Sequence, residues 1–374
     1  MLSAYDAKSH AYWRQGLYRV FSDVEWTTLT LPPRHFSWRI RGNGLSWFQN
    51  PAFAESYDLC IATSMVDLAT VKGLNPGFSS IPSLLYFHEN QFAYPKSAQV
   101  NTAHQIEAQM VQVFGALCCD VAGFNSEYNR TTFLDGLSAL LRKLPDGVPK
   151  NVVDVVREKS IILPVGVMAT HSDRASNGDQ ALALRKHGDS APHFIWNHRW
   201  EYDKGPDRLL AFLGALPIEF NATFHIVGQS FRSIPEKFQD IHALLKARGW
   251  LGQWGFIEST QVYRELLEQA DFVLSTSNHD FQGLSVMEAV SRGCVPVLPN
   301  RLAYPDFFSS EYLYSGSENI AQEAQSMVAH VLDVSGRWGN KDHDQPALKA
   351  PDISAYSLEG IKSQYHAVFE RLLA

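Results

Sequence analysis

Residues 193–206 of this chain read HFIWNHRWEYDKGP, and residues 272–289 read FVLSTSNHDFQGLSVMEA. Each stretch begins with a short apolar run rich in aromatic and β-branched residues, which is typical of a buried parallel strand. Each then passes through a polar turn into a segment with helical spacing, which opens at Pro206 in the first stretch and after Gly283 in the second. The two stretches predict βα units of a doubly wound α/β domain, with their polar turns at the carboxyl ends of the strands.

The same alternation of strand and helix runs through both halves of the chain. Strands are predicted at residues 2–4, 26–29, 59–62, 83–87, 121–124 and 161–163, and again at 193–197, 223–227, 252–256, 272–276 and 294–298. The helices predicted between them cover residues 102–117, 126–144, 206–216, 235–248, 260–269 and 285–292.

A chain of 374 residues is too long for one ordinary core and fits two domains of about 150–200 residues. We predict an N-terminal Rossmann-like domain over residues 1–167 and a C-terminal one over 193–350. A linker rich in Ser, Asn, Asp, Gly and Ala joins them over 168–192, and a helix within 351–374 is expected to pack back on the N-terminal domain. The fold class is α/β, with two doubly wound sheets facing each other across a cleft.

Composition limits the possible partners. The net charge of −7 gives no overall attraction for nucleic acid, so a polyanionic partner would need a local basic patch. No apolar run approaches the ~20 residues of a membrane span, and the N-terminus shows no export signal. The four cysteines, without CxxC spacing, are expected to be buried thiols. These features predict a cytoplasmic protein without a membrane partner.

Two cations lie in the polar turn that follows the strand at residues 193–197. Arg199 offers a planar fork and Lys204 a point charge, and both would stand at the carboxyl edge of the sheet, just before a helix. Such a pair suits a diphosphate, whose oxygens need positive partners. A solvated loop with two incidental cations explains the same residues equally well.

The turn that follows the strand at residues 272–276 adds acids and a helix start. Asp280 and Glu288 can accept hydrogen bonds from sugar and ribose hydroxyls, and Gly283 lets the backbone approach a ligand closely. The amides at the helix start can hold phosphate oxygens, and they belong to Leu284, Ser285 and Val286. The alternative is an ordinary capped helix.

The first half carries polar residues at comparable strand ends. His88 follows the strand at 83–87 and could hydrogen-bond a sugar hydroxyl or steady positive charge at an anomeric carbon, although a single His is more often structural. Ser9 and His10 follow the first strand, and Asn125 and Ser126 follow the strand at 121–124; we expect them to line the donor site.

One segment combines cations with aromatic residues. Its cations are expected to contact phosphates, and its aromatic rings are expected to stack on unpaired bases. The segment consists of Arg34, His35, Phe36, Trp38, Arg39 and Arg41. From composition alone, a loop whose aromatic rings pack on the domain is the favoured interpretation.

The pattern of Arg199 and Lys204 followed by Asp280-x7-Glu288 resembles the donor site of retaining GT-B glycosyltransferases, whose signature is Glu-x7-Glu. The resemblance implies that the Arg and Lys bind the diphosphate, the first acid contacts the sugar, and Glu288 holds the ribose. Asp280 departs from the family's usual Glu. Gly228, Phe256 and Ile257 match positions that line the family's nucleotide pocket, and His88 matches a His beside the donor sugar.

Several stretches resemble the tRNA-queuosine α-mannosyltransferase family more specifically. They span nearly the whole chain and read LPPRHFSWR at 31–39, YFHENQ at 86–91, FNS at 124–126, NHRWEYDK at 197–204 and EYLY at 311–314. The resemblance implies GDP-mannose as donor and, as acceptor, the cyclopentene-diol of queuosine at the wobble position of tRNA(Asp). Glu89 and Asn90 are then expected to contact the acceptor together with the segment around Trp38.

The resemblance also implies the chemistry. The departing diphosphate is neutralised by Arg199, Lys204 and the helix amides, so no metal or other cofactor is expected. The acceptor hydroxyl attacks on the face that the diphosphate leaves, which retains the anomeric configuration. Two other functions stay open, a retaining glycosyltransferase acting on a lipid or glycan and a non-catalytic nucleotide-sugar or RNA-binding protein.

Overall fold

The computed structural model describes residues 1–94, 102–168, 191–230, 234–339 and 348–374. The chain divides into two compact units. The first unit comprises Met1–Gly166 and Tyr356–Ala374, and the second comprises Val167–Ala355. The predicted linker at 168–192 lies almost entirely outside the described residues.

In its described residues the first unit is built on a six-stranded parallel sheet with the strand order β2-β1-β3-β4-β5-β6. Its strands are β1 (Leu2–Ser3), β2 (Leu29–Thr30), β3 (Cys60–Thr63), β4 (Ser83–Phe87), β5 (Val121–Phe124) and β6 (Ser160–Ile162). Its helices are α1 (Lys8–Val20), α2 (Phe36–Ser46), α3 (Leu68–Leu74), α4 (Pro76–Ser79), α5 (Thr102–Cys118), α6 (Glu127–Leu141) and α7 (Val152–Lys159).

The central strands of this sheet are apolar because helices cover both faces. Every residue of β3, β4 and β5 is buried, as expected for parallel strands. Phe87 and Phe124 lie opposite each other on β4 and β5, and their rings stack with centroids 4.4 Å apart. This packing fixes the register that places the end of β4, where His88 follows, beside the end of β5.

The second unit has, in its described residues, a six-stranded parallel sheet with the order β12-β11-β10-β7-β8-β9. Its strands are β7 (His193–Trp196), β8 (Thr223–Val227), β9 (Leu251–Gly255), β10 (Phe272–Leu274), β11 (Val295–Pro299) and β12 (Leu313–Tyr314). Its helices are α8 (Pro206–Ala215), α9 (Lys237–Ala247), α10 (Thr260–Gln269), α11 (Leu284–Ser291), α12 (Tyr304–Phe307) and α13 (Ile320–Gly339).

The strand order of the second unit reverses between β7 and β10. A doubly wound sheet binds ligands outside the carboxyl ends of the strands at such a switch point, because the connections on the two sides lead away in opposite directions. Phe194 of β7 stacks between Phe224 of β8 and Phe272 of β10, with ring centroids 5.0 and 4.8 Å apart. These three buried rings tie the switch-point strands into one core.

The last helix, α14 (Leu358–Leu373), belongs to the first unit. Ser357 caps its start by accepting a hydrogen bond from the amide of Gly360 at 3.0 Å. Its buried face packs on α1, where the indole nitrogen of Trp13 donates to the hydroxyl of Tyr365 at 2.9 Å. That hydroxyl in turn donates to the carbonyl of Pro164 at 3.2 Å.

The structure differs from the sequence predictions at several places in the first unit; for example, the helices α1, α3, α4 and α7 were not predicted. The strand predicted at 26–29 begins only at Leu29 and is a two-residue edge strand. The segment around Trp38 forms the first turns of α2 in place of the loop that its composition favours. Among the described residues, no helix combines the length and apolar character needed to cross a membrane.

Candidate active site

Two turns follow the switch-point strands of the second unit. Residues 197–205 form the turn after β7, here called the β7 turn, and residues 275–283 form the turn after β10, here called the β10 turn. The carbonyl of Asp203 accepts hydrogen bonds from the amides of Asn278 at 2.8 Å and His279 at 3.2 Å. The two turns are therefore joined through their backbones.

Gly205 allows the two turns to approach closely. It adopts a left-handed conformation with φ of 66°, and a Cβ at this position would lie 2.1 Å from the carbonyl oxygen of Thr276. The hydroxyl of Thr276 donates to the carbonyl of Lys204 at 2.9 Å. A side chain at residue 205 would separate the turns, which accounts for a glycine here.

Lys204 lies buried where the two turns meet. Its ammonium donates to the carbonyl of His279 at 2.6 Å and lies 3.3 Å from Asp203 and 3.5 Å from Asp280. One buried cation between two carboxylates leaves a local excess of negative charge. A diphosphate could therefore enter only with further positive partners, such as a helix start or a second cation.

Asp280 is fixed by the turn that it closes. One carboxylate oxygen accepts hydrogen bonds from the amides of Gly283 at 2.8 Å and Gln282 at 3.3 Å. Burial alone would raise the pKa of Asp280, but the Lys204 charge and these amides outweigh it and hold the pKa at about 2. The side chain is therefore an oriented carboxylate at neutral pH.

The β10 turn leads directly into α11. Gly283 has a φ of 78°, and the first bond of the helical ladder runs from the amide of Met287 to the carbonyl of Gly283 at 2.9 Å. The amides of Leu284, Ser285 and Val286 precede this ladder, and the helix dipole adds positive potential at the same place. This helix start supplies the positive partner that a diphosphate beside Lys204 requires.

Arg199 differs from Lys204 in its surroundings. Its side chain is half exposed, and one guanidinium nitrogen lies 3.1 Å from the Glu201 carboxylate. An exposed ion pair of this kind contributes little stability.

Glu288 lies one turn into α11 and is held by a residue that the sequence did not reveal. Its carboxylate and the hydroxyl of Tyr263 form a hydrogen bond, and burial raises the pKa of Glu288. The amide of Asn197 donates to the Tyr263 hydroxyl at 2.9 Å and to the carbonyl of Ser285 at 2.8 Å. Asn197 thereby connects the β7 turn to the start of α11.

Two further glycines bring strand ends together next to the β7 turn. Gly228 follows β8, and a Cβ there would lie 1.8 Å from the carbonyl oxygen of His198. The amide of Gly228 donates to the carbonyl of Gly255 at 3.3 Å. Beyond Gly255 the ring of Phe256 is half exposed and Ile257 is half buried. The predicted nucleotide-lining residues therefore follow β8 and β9, the strands next to β7.

In the first unit, His88 belongs to a buried aromatic stack. Its ring stacks on that of His10 with centroids 4.2 Å apart and makes a T-shaped contact with the ring of Trp13, with centroids 4.9 Å apart. Burial lowers the pKa of both histidines, that of His88 far below its usual value, so both rings are neutral at pH 7. Nε2 of His88 and Nδ1 of His10 have no hydrogen-bond partner in the described part of the chain.

Other residues of the first unit that were predicted to contact a substrate form hydrogen bonds within the unit instead. The Asn125 amide donates to the carbonyl of His88 at 2.9 Å, and Ser126 caps α6 by accepting from the amide of Asn129 at 3.0 Å. Asn90 was predicted to contact the acceptor, but it is entirely buried and bonds Asn129 and Thr132 through its amide nitrogen. Because these bonds occupy its side chain, Asn90 supports the loop after β4 and does not present a binding surface.

Ser9 and Glu89 lie at the same strand ends. Ser9 is exposed in the first turn of α1, next to the buried His10, and Glu89 is half buried directly after His88. Their side chains are therefore placed nearer to solvent than those of Asn90 and Asn125.

The cationic and aromatic segment lies at the start of α2. Arg34, His35 and Trp38 are exposed, whereas Arg39 is half buried. The indole of Trp38 lies over Gly42, where a Cβ would come within 2.6 Å of the ring. Arg41 forms an ion pair with the buried Asp67 and stays largely exposed. Trp38 is therefore a half-exposed ring in a segment that also carries Arg34, His35 and Arg39.

The chain is similar to known proteins in sequence and in fold. The sequence profile of the N-terminal domain of tRNA-queuosine alpha-mannosyltransferases matches residues 1–167. A tRNA-queuosine alpha-mannosyltransferase of Drosophila melanogaster is 30% identical over 308 residues, which cover 79% of this chain and 77% of that protein.

Solved structures with the same architecture include sucrose-phosphate synthase from Thermosynechococcus elongatus, with a TM-score of 0.65, 15% identity and coverage of 98% of this chain and 94% of that one. Anabaena HepE in complex with UDP matches with a TM-score of 0.61 and 14% identity, covering 99% and 98% of the two chains. These neighbours have the GT-B fold, which confirms the predicted fold class.

Proposed function

The chain belongs to the tRNA-queuosine α-mannosyltransferase family, and from this premise we propose that it transfers mannose from GDP-mannose to the cyclopentene-diol of queuosine at the wobble position of tRNA(Asp). The observation that carries the proposal is the meeting of Lys204, Asp280 and the start of α11 at the switch point of the second sheet. Oriented charge and backbone amides at such a point suit a nucleotide diphosphate.

In this proposal the diphosphate lies against the start of α11. The amides of Leu284, Ser285 and Val286 bind its oxygens. The buried ammonium of Lys204 compensates part of its negative charge. Arg199 leaves Glu201 and contacts the diphosphate from the solvent side. These groups stabilise the negative charge that grows on the diphosphate as the bond to the sugar breaks, which is where preorganised positive groups lower a barrier most.

The remaining donor contacts use the acids and the strand ends. Glu288, oriented by Tyr263, accepts hydrogen bonds from the ribose hydroxyls, and Asp280 accepts from a hydroxyl of the sugar. Gly228, Phe256 and Ile257 line the nucleotide. Asp280 is one methylene shorter than the Glu that is usual in the family. The shorter side chain is therefore expected to affect which sugar the site accepts.

The neutral histidine pair of the first unit offers a buried nitrogen that can bind a hydroxyl group. The lone Nε2 of His88 is buried and unsatisfied among the described residues, and a hydroxyl group would satisfy it. His10 holds the ring of His88 in place by stacking. The acceptor hydroxyl attacks on the face that the diphosphate leaves, and a phosphate oxygen of the donor takes its proton.

A mass measurement tests the function. Purified protein is incubated with queuosine-bearing tRNA together with GDP-mannose or, in parallel reactions, with another nucleotide sugar. The tRNA is then digested, and the masses of the released nucleosides are measured. We expect queuosine to gain one hexose from GDP-mannose. If no nucleoside gains mass while a lipid or glycan acceptor does, the tRNA proposal is wrong; binding of GDP without any transfer would indicate a non-catalytic protein.

For the acceptor surface we propose that Trp38 stacks on a base of the anticodon loop. Changing Trp38 to alanine is then expected to raise the KM for tRNA about tenfold, because one aromatic stack on a base is worth about 1–3 kcal/mol. Steady-state kinetics with varied tRNA measure this, and the KM for GDP-mannose should not change.

The matched control for Trp38 is Phe114, an equally exposed aromatic residue of the same unit on α5. Phe114→Ala should leave the KM for tRNA unchanged. Equal effects of the two substitutions, or none from Trp38→Ala, would exclude Trp38 from the acceptor surface.

A further inference from the structure

A buried carboxylate on α13 binds two arginines beside the β10 turn. Glu323 is 2% exposed, and one of its oxygens accepts from Arg208 at 2.6 Å, from Arg301 at 2.5 Å and from the amide of Ser317 at 2.8 Å. The two arginines come from α8 and from the connection after β11, so three separate parts of the second unit meet at one carboxylate.

Both arginines also donate hydrogen bonds to residues of the β10 turn. Arg301 donates to the carbonyl of Ser277 at 2.9 Å and to that of Thr276 at 3.3 Å. Arg208 donates to the side-chain oxygen of Asn278 at 2.7 Å. Three consecutive residues of the turn are therefore held by two guanidinium groups.

The charges explain why the turn adopts this conformation. Two guanidinium groups face one carboxylate, which leaves one positive charge in a largely buried place. Carbonyl oxygens of the turn compensate this charge only when they point toward Arg301. The arrangement therefore favours one backbone conformation of Thr276 and Ser277.

The held residues lie directly before the groups that are proposed to contact the donor. The carbonyl of Thr276 is the atom that faces Gly205, and the amides of Asn278 and His279 bind the carbonyl of Asp203. Asp280 follows immediately. A shift at Thr276 or Ser277 would move the carboxylate of Asp280 and its contact with Lys204.

We propose that Glu323, Arg208 and Arg301 are positioning residues that hold the β10 turn in the conformation that binds the donor; this inference rests on the proposed function of that turn. None of the three is assigned a contact with the substrate. Their effect passes through the backbone of Thr276 and Ser277 and through Asn278.

The decisive variant is Arg301→Lys. A lysine keeps the positive charge and can still pair with Glu323, but one ammonium cannot bind both carbonyls and the carboxylate with the geometry of the guanidinium. A matched control is Arg248→Lys, because Arg248 also donates to two carbonyls of the second unit, those of Leu216 at 2.8 Å and Gly214 at 3.3 Å, away from the β10 turn.

Two readouts are taken on the full chain. Hydrogen exchange of the peptide that covers residues 276–283 should speed up in Arg301→Lys and stay unchanged in Arg248→Lys. The kcat/KM for GDP-mannose should fall about 10²-fold in Arg301→Lys alone, with an unchanged KM for tRNA, as displacements of about 1 Å can cause. A second variant, Glu323→Gln, should speed exchange in the same peptide.

The outcomes separate the inference from the proposed function. Unchanged exchange over 276–283 in Arg301→Lys overturns the positioning role, whatever the activity. Faster exchange with wild-type kcat/KM overturns it as well, since the turn would then move without consequence. If the wild-type protein transfers no sugar, the proposed function fails, while the exchange data still show whether the arginines hold the turn.

Discussion

Replacing Lys204 with methionine is expected to lower kcat for mannose transfer about 10²–10³-fold, the usual effect of removing one preorganised charge that stabilises a transition state. Methionine has similar length and packs in the same buried space. It cannot donate to the carbonyl of His279, and it leaves the carboxylates of Asp203 and Asp280 facing the diphosphate without a cation.

The loss of Lys204 should also change Asp280. Burial raises the pKa of that carboxyl and Lys204 opposes it most strongly, so the pKa of Asp280 rises from about 2 when the ammonium is removed. As the pH is lowered, the residual activity of Lys204→Met should therefore be lost at a higher pH than the activity of the wild type. The reason is that the carboxyl of Asp280 becomes protonated at a higher pH in the variant. A pH profile of kcat/KM for GDP-mannose measures this shift.

Lys237→Met is the matched control for Lys204→Met. Lys237 pairs with Asp240 at 3.3 Å, the distance between Lys204 and Asp203, but both partners are exposed on α9. An exposed pair contributes little, so this variant should keep wild-type kinetics. Near-normal turnover in Lys204→Met, with a melting temperature equal to that of the control, would exclude Lys204 from catalysis.

Gly205→Ala is expected to destabilise the second unit by more than its backbone conformation alone explains. An alanine at a φ of 66° costs about 1–2 kcal/mol. The added Cβ would also stand 2.1 Å from the carbonyl oxygen of Thr276, and relieving that contact by moving packed backbone adds about 1–3 kcal/mol. The shift separates the β7 and β10 turns, so binding of GDP should weaken as well.

Gly249 provides the comparison for Gly205. Its φ of 69° is nearly the same, and a Cβ there meets nothing within 4 Å. Gly249→Ala therefore measures the conformational cost alone, and thermal unfolding of the two variants side by side isolates the contact between the turns. If both variants lose the same stability and bind GDP equally well, the close approach of the turns is irrelevant to the site.

Several regular elements could be predicted because their signals are local, whereas α1 and α13 were not among the predicted helices. The residues of β4, β5, β8 and α10 coincide with the predicted ranges, since each has an apolar run or spacing bounded by turn residues. The edge strand β2 was misplaced because two residues leave no periodic pattern.

The proposed donor-site residues could be named from the sequence because they follow strand ends. Lys204 and Asp280 come from the two strands that flank the switch point, and topology alone brings them together. Their partners could not be found in this way. Glu323 reaches Arg208 across 115 positions, and Asn90 is buried by bonds to residues about 40 positions away, so neither role leaves a local signal.

The central claim is that the β7 and β10 turns of the second unit bind a nucleotide diphosphate. A crystal structure of the protein with GDP tests it directly. The diphosphate oxygens are expected within about 3 Å of the amides of Leu284, Ser285 and Val286, with the guanidinium of Arg199 turned from Glu201 toward them and the ribose at Glu288. GDP bound elsewhere on the chain, with Arg199 still paired to Glu201, would contradict the claim.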